Sequence, residues 1–147
     1  MAYPEPEVGL VISYSYLWSD EASAGHVDGR KPRPCAIVAA VKHTEQDPPL
    51  VAVLPITHSP HPDPDTAIEI PQRVAEHLDL DSDQSWVVLE DVNVFTWPGY
   101  DLRPIPKQPG KYDYGLLPPK FFETIITRIA ELRRDGQLAE TSRDDEA

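Results

Sequence analysis

Short apolar runs, each closed off by proline, set the rhythm of this chain. Gly9 to Trp18 (GLVISYSYLW) is apolar and aromatic with partial alternation, a strand pattern. Cys35 to Val41 (CAIVAAV) and Leu50 to Ile56 (LVAVLPI) are continuous apolar runs of strand length. Such runs suit strands buried on both faces, and their valines and flanking prolines favour strand over buried helix. Ala67 to Ile70 is a short strand candidate, and Ser85 to Phe95 (SWVVLEDVNVF) reads as one bent strand or two. Pro71 to Leu78 reads as a short helix with Pro71 at its first position.

Pro118 to Arg134 breaks this pattern. Phe121, Phe122, Ile125, Ile126, Ile129 and Leu132 recur at three- and four-residue steps, while Lys120, Glu123, Arg128 and Arg133 fall on the other side. That period predicts an amphipathic helix, started by Pro118 or Pro119 and ended at Asp135-Gly136. Residues 137–147 (QLAETSRDDEA) are polar and are expected to form a flexible acidic tail after a single domain over 1–136. The order, strands first and one amphipathic helix at the end, predicts an α+β fold that is mostly β.

Composition narrows this further. A length of 147 residues suits one domain. With 17 prolines and 7 glycines, stiff loops between short strands fit better than a helical bundle. No apolar run reaches the ~20 residues of a membrane-spanning helix. MAYPEPEVG lacks the basic start and apolar stretch of a secretory leader. The expectation is a cytoplasmic protein with no membrane partner. The single cysteine, Cys35, excludes an internal disulfide and a cysteine-based zinc finger, and its place in an apolar strand predicts an inert buried thiol.

The net charge of −12 argues against non-specific attraction to nucleic acid. Its distribution is uneven, however. Residues 30–42 carry Arg30, Lys31, Arg33 and Lys42 with no acid, and residues 103–134 carry 7 bases against 3 acids. Between them, residues 43–91 hold 11 acids and one base, Arg73. Residues 135–147 hold 5 acids and one base.

The first basic stretch, GRKPRPCAIV (Gly29 to Val38), places glycine and Arg-Pro before an apolar strand. LVAVLPITHS (Leu50 to Ser59) is an apolar strand ending in Pro-Ile-Thr. SWVVLEDVNVF (Ser85 to Phe95) and YGLLPPKFFETIITRIAEL (Tyr114 to Leu132) follow. In this order the four segments resemble the MazF/PemK (Kid-like) family of endoribonuclease toxins over roughly residues 8–132. The resemblance implies an SH3-like small barrel with a C-terminal helix, usually a homodimer. It also implies a metal-independent, cofactor-free endoribonuclease of a toxin–antitoxin system, with single-stranded mRNA as substrate and a cognate antitoxin as protein partner. The ribose 2′-hydroxyl would attack the phosphate, leaving a 2′,3′-cyclic phosphate and a 5′-hydroxyl.

Carried over residue by residue, Arg33 matches the arginine that contacts the scissile phosphate, and Thr57 matches the threonine of Pro-Ile-Thr. A guanidinium forks onto phosphate oxygens and stabilises developing charge. A threonine hydroxyl bonds the phosphate and fixes the geometry of attack. His58, Ser59 and Asp91 are possible accessory groups, His58 as general base and Ser59 as a spare hydroxyl. Arg30, Lys31 and Trp97 are candidate RNA contacts, with Trp97 to Tyr100 read as an exposed turn. Where Kid-like members carry a second arginine, this chain has Leu89. That departure, with the acidic 43–91 stretch, favours the alternative of a catalytically degenerate module binding protein or RNA. His58 and His61 with Asp63 and Asp65 offer metal-ligating chemistry, but Pro60, Pro62 and Pro64 make a stiff extended loop, so no metal is expected.

Overall fold

A computed structural model of the chain describes residues 3–18, 32–58, 63, 65–80 and 84–143. The apolar runs become β1 (Leu10–Tyr14), β2 (Arg33–Val41) and β3 (Leu50–Thr57), followed by β4 (Ala67–Glu69) and the short helix α1 (Gln72–His77). Then come β5 (Trp86–Val88), β6 (Asp91–Thr96), β7 (Asp113–Leu116), the helix α2 (Pro119–Arg134) and β8 (Ala139–Ser142). The class is α+β with mostly antiparallel strands, as the pattern predicts.

β2 and β3 form the central hairpin, with Cys35 facing Pro55, Val41 facing Leu50 and an irregularity between Ile37 and Ala39. β1 lies on the other side of β2 and pairs onward with β7. The free edge of β3 is shared by two strands. Its residues 50–53 pair with β6 and its residues 56–57 pair with β5. The Ser85 to Phe95 run is therefore two strands, broken at Leu89 and Glu90. Pro55 sits in the gap between these two ladders, which explains a proline inside a central strand: that stretch of the edge needs no N–H donor. The path β4-β5-β3-β2-β1-β7 stays open, and among the described residues no ladder joins its two ends.

The continuous runs are continuous because the sheet is covered on both faces. All five residues of β1 are buried. One face packs Val11, Ala36, Leu54 and Ile56 against Val74, Ala75 and Leu78 from the α1 region and Ile125 and Leu132 from α2. The other face is aromatic: Tyr14, Tyr16, Phe95, Trp97 and Tyr112 gather around Ile12, Cys35, Ile37 and Val53. Pro118 caps α2 and Pro119 opens it, and Gly136 follows the helix at φ 71°, where a side chain would be strained. Ile126 of the predicted apolar stripe is 38% exposed, so the buried stripe is narrower than its spacing suggests. Among the described residues no helix is long and apolar enough to cross a membrane.

The expected flexible tail is corrected over residues 137–143. Ala139–Ser142 forms β8, running parallel to β6. Arg143 is buried: its Nη2 donates to Asp101 Oδ1 at 2.8 Å, and its Nη1 donates to the Ser15 carbonyl at 2.9 Å and to Asn93 Oδ1 at 3.1 Å. Backbone pairing and this buried cation hold the segment down, which polarity alone could not reveal. Residues 144–147 lie outside the described residues.

Candidate functional site

β2 begins at Arg33 and β3 ends at Thr57. Their register is set further along the hairpin, where Cys35 faces Pro55 and Ala36 faces Leu54. Carried two residues outward, that register brings Arg33 level with Thr57, on the face that Cys35 occupies. Directly opposite residues have Cβ atoms about 4.5–5.5 Å apart. Two motifs that the sequence separates by more than twenty residues thus meet at one end of one hairpin.

They line a common cavity of about 460 Å³. His58 lines it as well, and is exposed. Further walls come from Asp79 and Leu80 after α1, from Ser85 before β5, from Ile105, Pro106 and Gln108, and from Tyr114 of β7. Asp79 has φ 55°, and Lys107, between two lining residues, has φ 67°. Both walls therefore turn through left-handed backbone, which Asp tolerates better than most side chains.

Arg33 is half-buried, with its guanidinium carbon 5.4 Å from the centre of the Trp18 ring. This cation–π contact orients the head group without consuming its donors. Arg33 Nε is buried and has no hydrogen-bond partner among the described residues. Arg33 and Asp79 share the cavity without forming an ion pair, so it carries a cation and an anion at separate places.

The other sequence candidates fall elsewhere. Asp91 is buried and does not line the cavity; its Oδ1 accepts the Tyr16 hydroxyl at 2.6 Å. Trp97 is 9% exposed and packs near Phe95, with ring centres 6.1 Å apart, so the expected exposed tryptophan is corrected. The exposed aromatic of that turn is Tyr100, at 87%. Alternation could have shown this, since Phe95 and Trp97 stand two residues apart on one face. Ser59, His61, Arg30 and Lys31 lie outside the described residues. The two basic stretches converge only in part. Residues 105–108 adjoin Arg33, whereas Lys42 lies past the far end of β2, about 30 Å away at the usual rise per residue. Asp79, Ser85, Gln108 and Tyr114 were missed, because nothing local marks residues that only the topology brings together.

Beneath Arg33, the Cys35 thiol donates to the Arg33 carbonyl at 3.6 Å and is fully buried. Burial pushes this thiol up from its usual 9.0, outweighing the opposing pull of Arg33 and Arg143. Burial first, then the charge of Asp91, pushes the Tyr16 hydroxyl up from 10.0. Each group is protonated in the fold at pH values where the unfolded chain has lost the proton. Its contribution is complete below the unfolded value and is lost as pH rises above it. The slope is about 1.4 kcal/mol per pH unit for each group. Urea melts at pH 8, 9 and 10 should therefore show stability falling, first through Cys35 and then through Tyr16. Cys35→Ala should reduce the fall between pH 9 and 10 by about 1.0 kcal/mol, because the unfolded thiol is only half ionised at pH 9. Equal slopes in the two proteins would refute this assignment.

No family model matches the sequence, and no relative is found among curated proteins.

Proposed function

We propose that the cavity at the end of the β2–β3 hairpin is the active site of a metal-independent endoribonuclease acting on single-stranded RNA, in the manner of the toxin family the sequence resembles. The observation that carries this reading is that Arg33 and Thr57, each assigned from its own motif, stand on neighbouring strands and line one cavity. In this reading the open sheet is a variant of an SH3-like barrel. The antitoxin and a second copy of the chain are its protein partners.

The chemistry follows from the lining groups. The ribose 2′-oxygen attacks phosphorus, and the bond to the 5′-oxygen breaks. Extra negative charge gathers on the non-bridging oxygens, where the Arg33 fork stabilises it. Thr57 donates a hydrogen bond that holds the phosphate for in-line attack. His58 is the lining group suited to take the 2′-hydroxyl proton, while the 5′-oxygen leaves with a proton from a second donor or from water.

The purified protein, incubated with long single-stranded RNA in EDTA, should give fragments ending in 2′,3′-cyclic phosphate and beginning with 5′-hydroxyl. Thr57→Val should slow cleavage about tenfold, the effect of one hydrogen bond of about 1.4 kcal/mol. RNA that stays intact overturns the reading.

A second reading, a non-cleaving binding module, is favoured by Leu89. The position where Kid-like relatives hold a second arginine is here fully buried in the apolar core. RNA that is bound but never cut would select it.

A further inference from the structure

Part of the cavity is not explained by phosphate chemistry. A carboxylate repels phosphate, yet Asp79 lines the same cavity as Arg33 and is not neutralised by it. Ser85 is 3% exposed and lines the cavity, where its hydroxyl can both donate and accept. Leu80 and Pro106 add apolar surface, and Tyr114 adds an aromatic ring. A cavity of about 460 Å³ falls in the range of small-ligand pockets.

We infer that this wall reads a guanine base next to the phosphate held by Arg33. The inference rests on reading the cavity as an RNA site. A carboxylate only accepts hydrogen bonds. Guanine alone among the four bases offers two adjacent donors, its ring N1–H and its exocyclic amine, on the edge that single-stranded RNA exposes. Adenine, cytosine and uracil each set an acceptor beside their donor, and that acceptor would face the Asp79 carboxylate with no hydrogen between them. Guanine O6 then takes the Ser85 hydroxyl proton. The base lies between the Tyr114 ring and the apolar side chains, where stacking is indifferent to base identity. Discrimination therefore falls to Asp79. This residue lies just after α1, outside the motifs that carry the toxin resemblance.

The test is binding, independent of cleavage. The full chain is titrated with guanosine, inosine and adenosine 3′-monophosphates by calorimetry. Guanosine monophosphate should bind about 10–100-fold more tightly than adenosine monophosphate, the worth of a bidentate contact. Inosine monophosphate, which lacks the exocyclic amine, should fall between them. Asp79→Asn should abolish most of this preference, weakening guanosine monophosphate while adenosine monophosphate binds at least as well as before, because the amide no longer repels phosphate and can donate to the adenine acceptor. Ser85→Ala should weaken guanosine monophosphate without changing the inosine-to-guanosine ratio. Equal binding of the guanine and adenine nucleotides, or a preference that survives Asp79→Asn, overturns the inference. RNA cleavage without any preference for guanine would sink this inference and leave the endoribonuclease reading standing. Guanine preference without cleavage would do the reverse.

Discussion

Replacing Arg143 by alanine is expected to destabilise the protein by about 3–5 kcal/mol, the usual cost of removing one partner from a buried ion pair. Total stabilities run to about 5–15 kcal/mol, so the loss is a large share. The side chains of Arg143 and Asp101 are only 1% and 6% exposed. Without the guanidinium, the buried Asp101 carboxylate loses this cation, and the Ser15 carbonyl and Asn93 Oδ1 each lose a donor. The guanidinium also sits 5.8 Å from the centre of the Tyr14 ring, so packing is lost with the charge. Urea unfolding at neutral pH measures the effect as a fall in the midpoint. The pairing itself is separated from packing by a cycle with Asp101→Asn. Arg143→Met with Asp101→Asn should cost less than the sum of the two single changes, because neither charge is then left alone. A single substitution costing under 1 kcal/mol would show that the pair does not hold β8 in place.

Arg33→Ala should lower RNA cleavage by about 10²–10³-fold, the range seen when one preorganised donor to a developing anion is removed. Arg33 is half-buried at the rim, and among the described residues it forms no ion pair, so its loss should barely move the melting temperature. Activity and stability should therefore separate. Arg33→Lys should recover only part of the activity. A lysine keeps the charge but not the planar fork, and its ammonium does not stack on Trp18 as a guanidinium does. Cleavage by Arg33→Ala within threefold of the unaltered protein would remove Arg33 from the chemistry.

How far the chain could be read in advance follows from the range of the forces at each place. The central strands and α2 were legible because both faces of the hairpin, and one side of the helix, are apolar at regular intervals. β7 and β8 were not. Their sequences, DYGL and AETS, are short and polar, and become strands only because β1 and β6 present open edges. The role of Arg143 had one faint signal, a lone base among five acids in residues 135–147. Its partners, however, lie 42 to 128 residues away. Asp91 likewise reads locally as a family acid, but is committed to Tyr16, 75 residues earlier. Arg33 and Thr57 were legible by motif, yet their juxtaposition is a property of ladder register, which no local pattern contains.

That register has a consequence for how such a chain can diverge. Arg33 and Thr57 continue the register of the residues paired inside the hairpin, from Cys35 and Pro55 onward. Each is also paired on its outer side, Arg33 with Tyr14 of β1 and Thr57 with Trp86 of β5. A change of chain length outside these ladders leaves the pairing untouched, and closing a longer loop adds only about 0.6 kcal/mol per doubling of its length. The working pair can thus stay fixed while the chain on either side is lengthened, shortened or rewritten. Lineages can change what surrounds this end of the hairpin without moving Arg33 and Thr57.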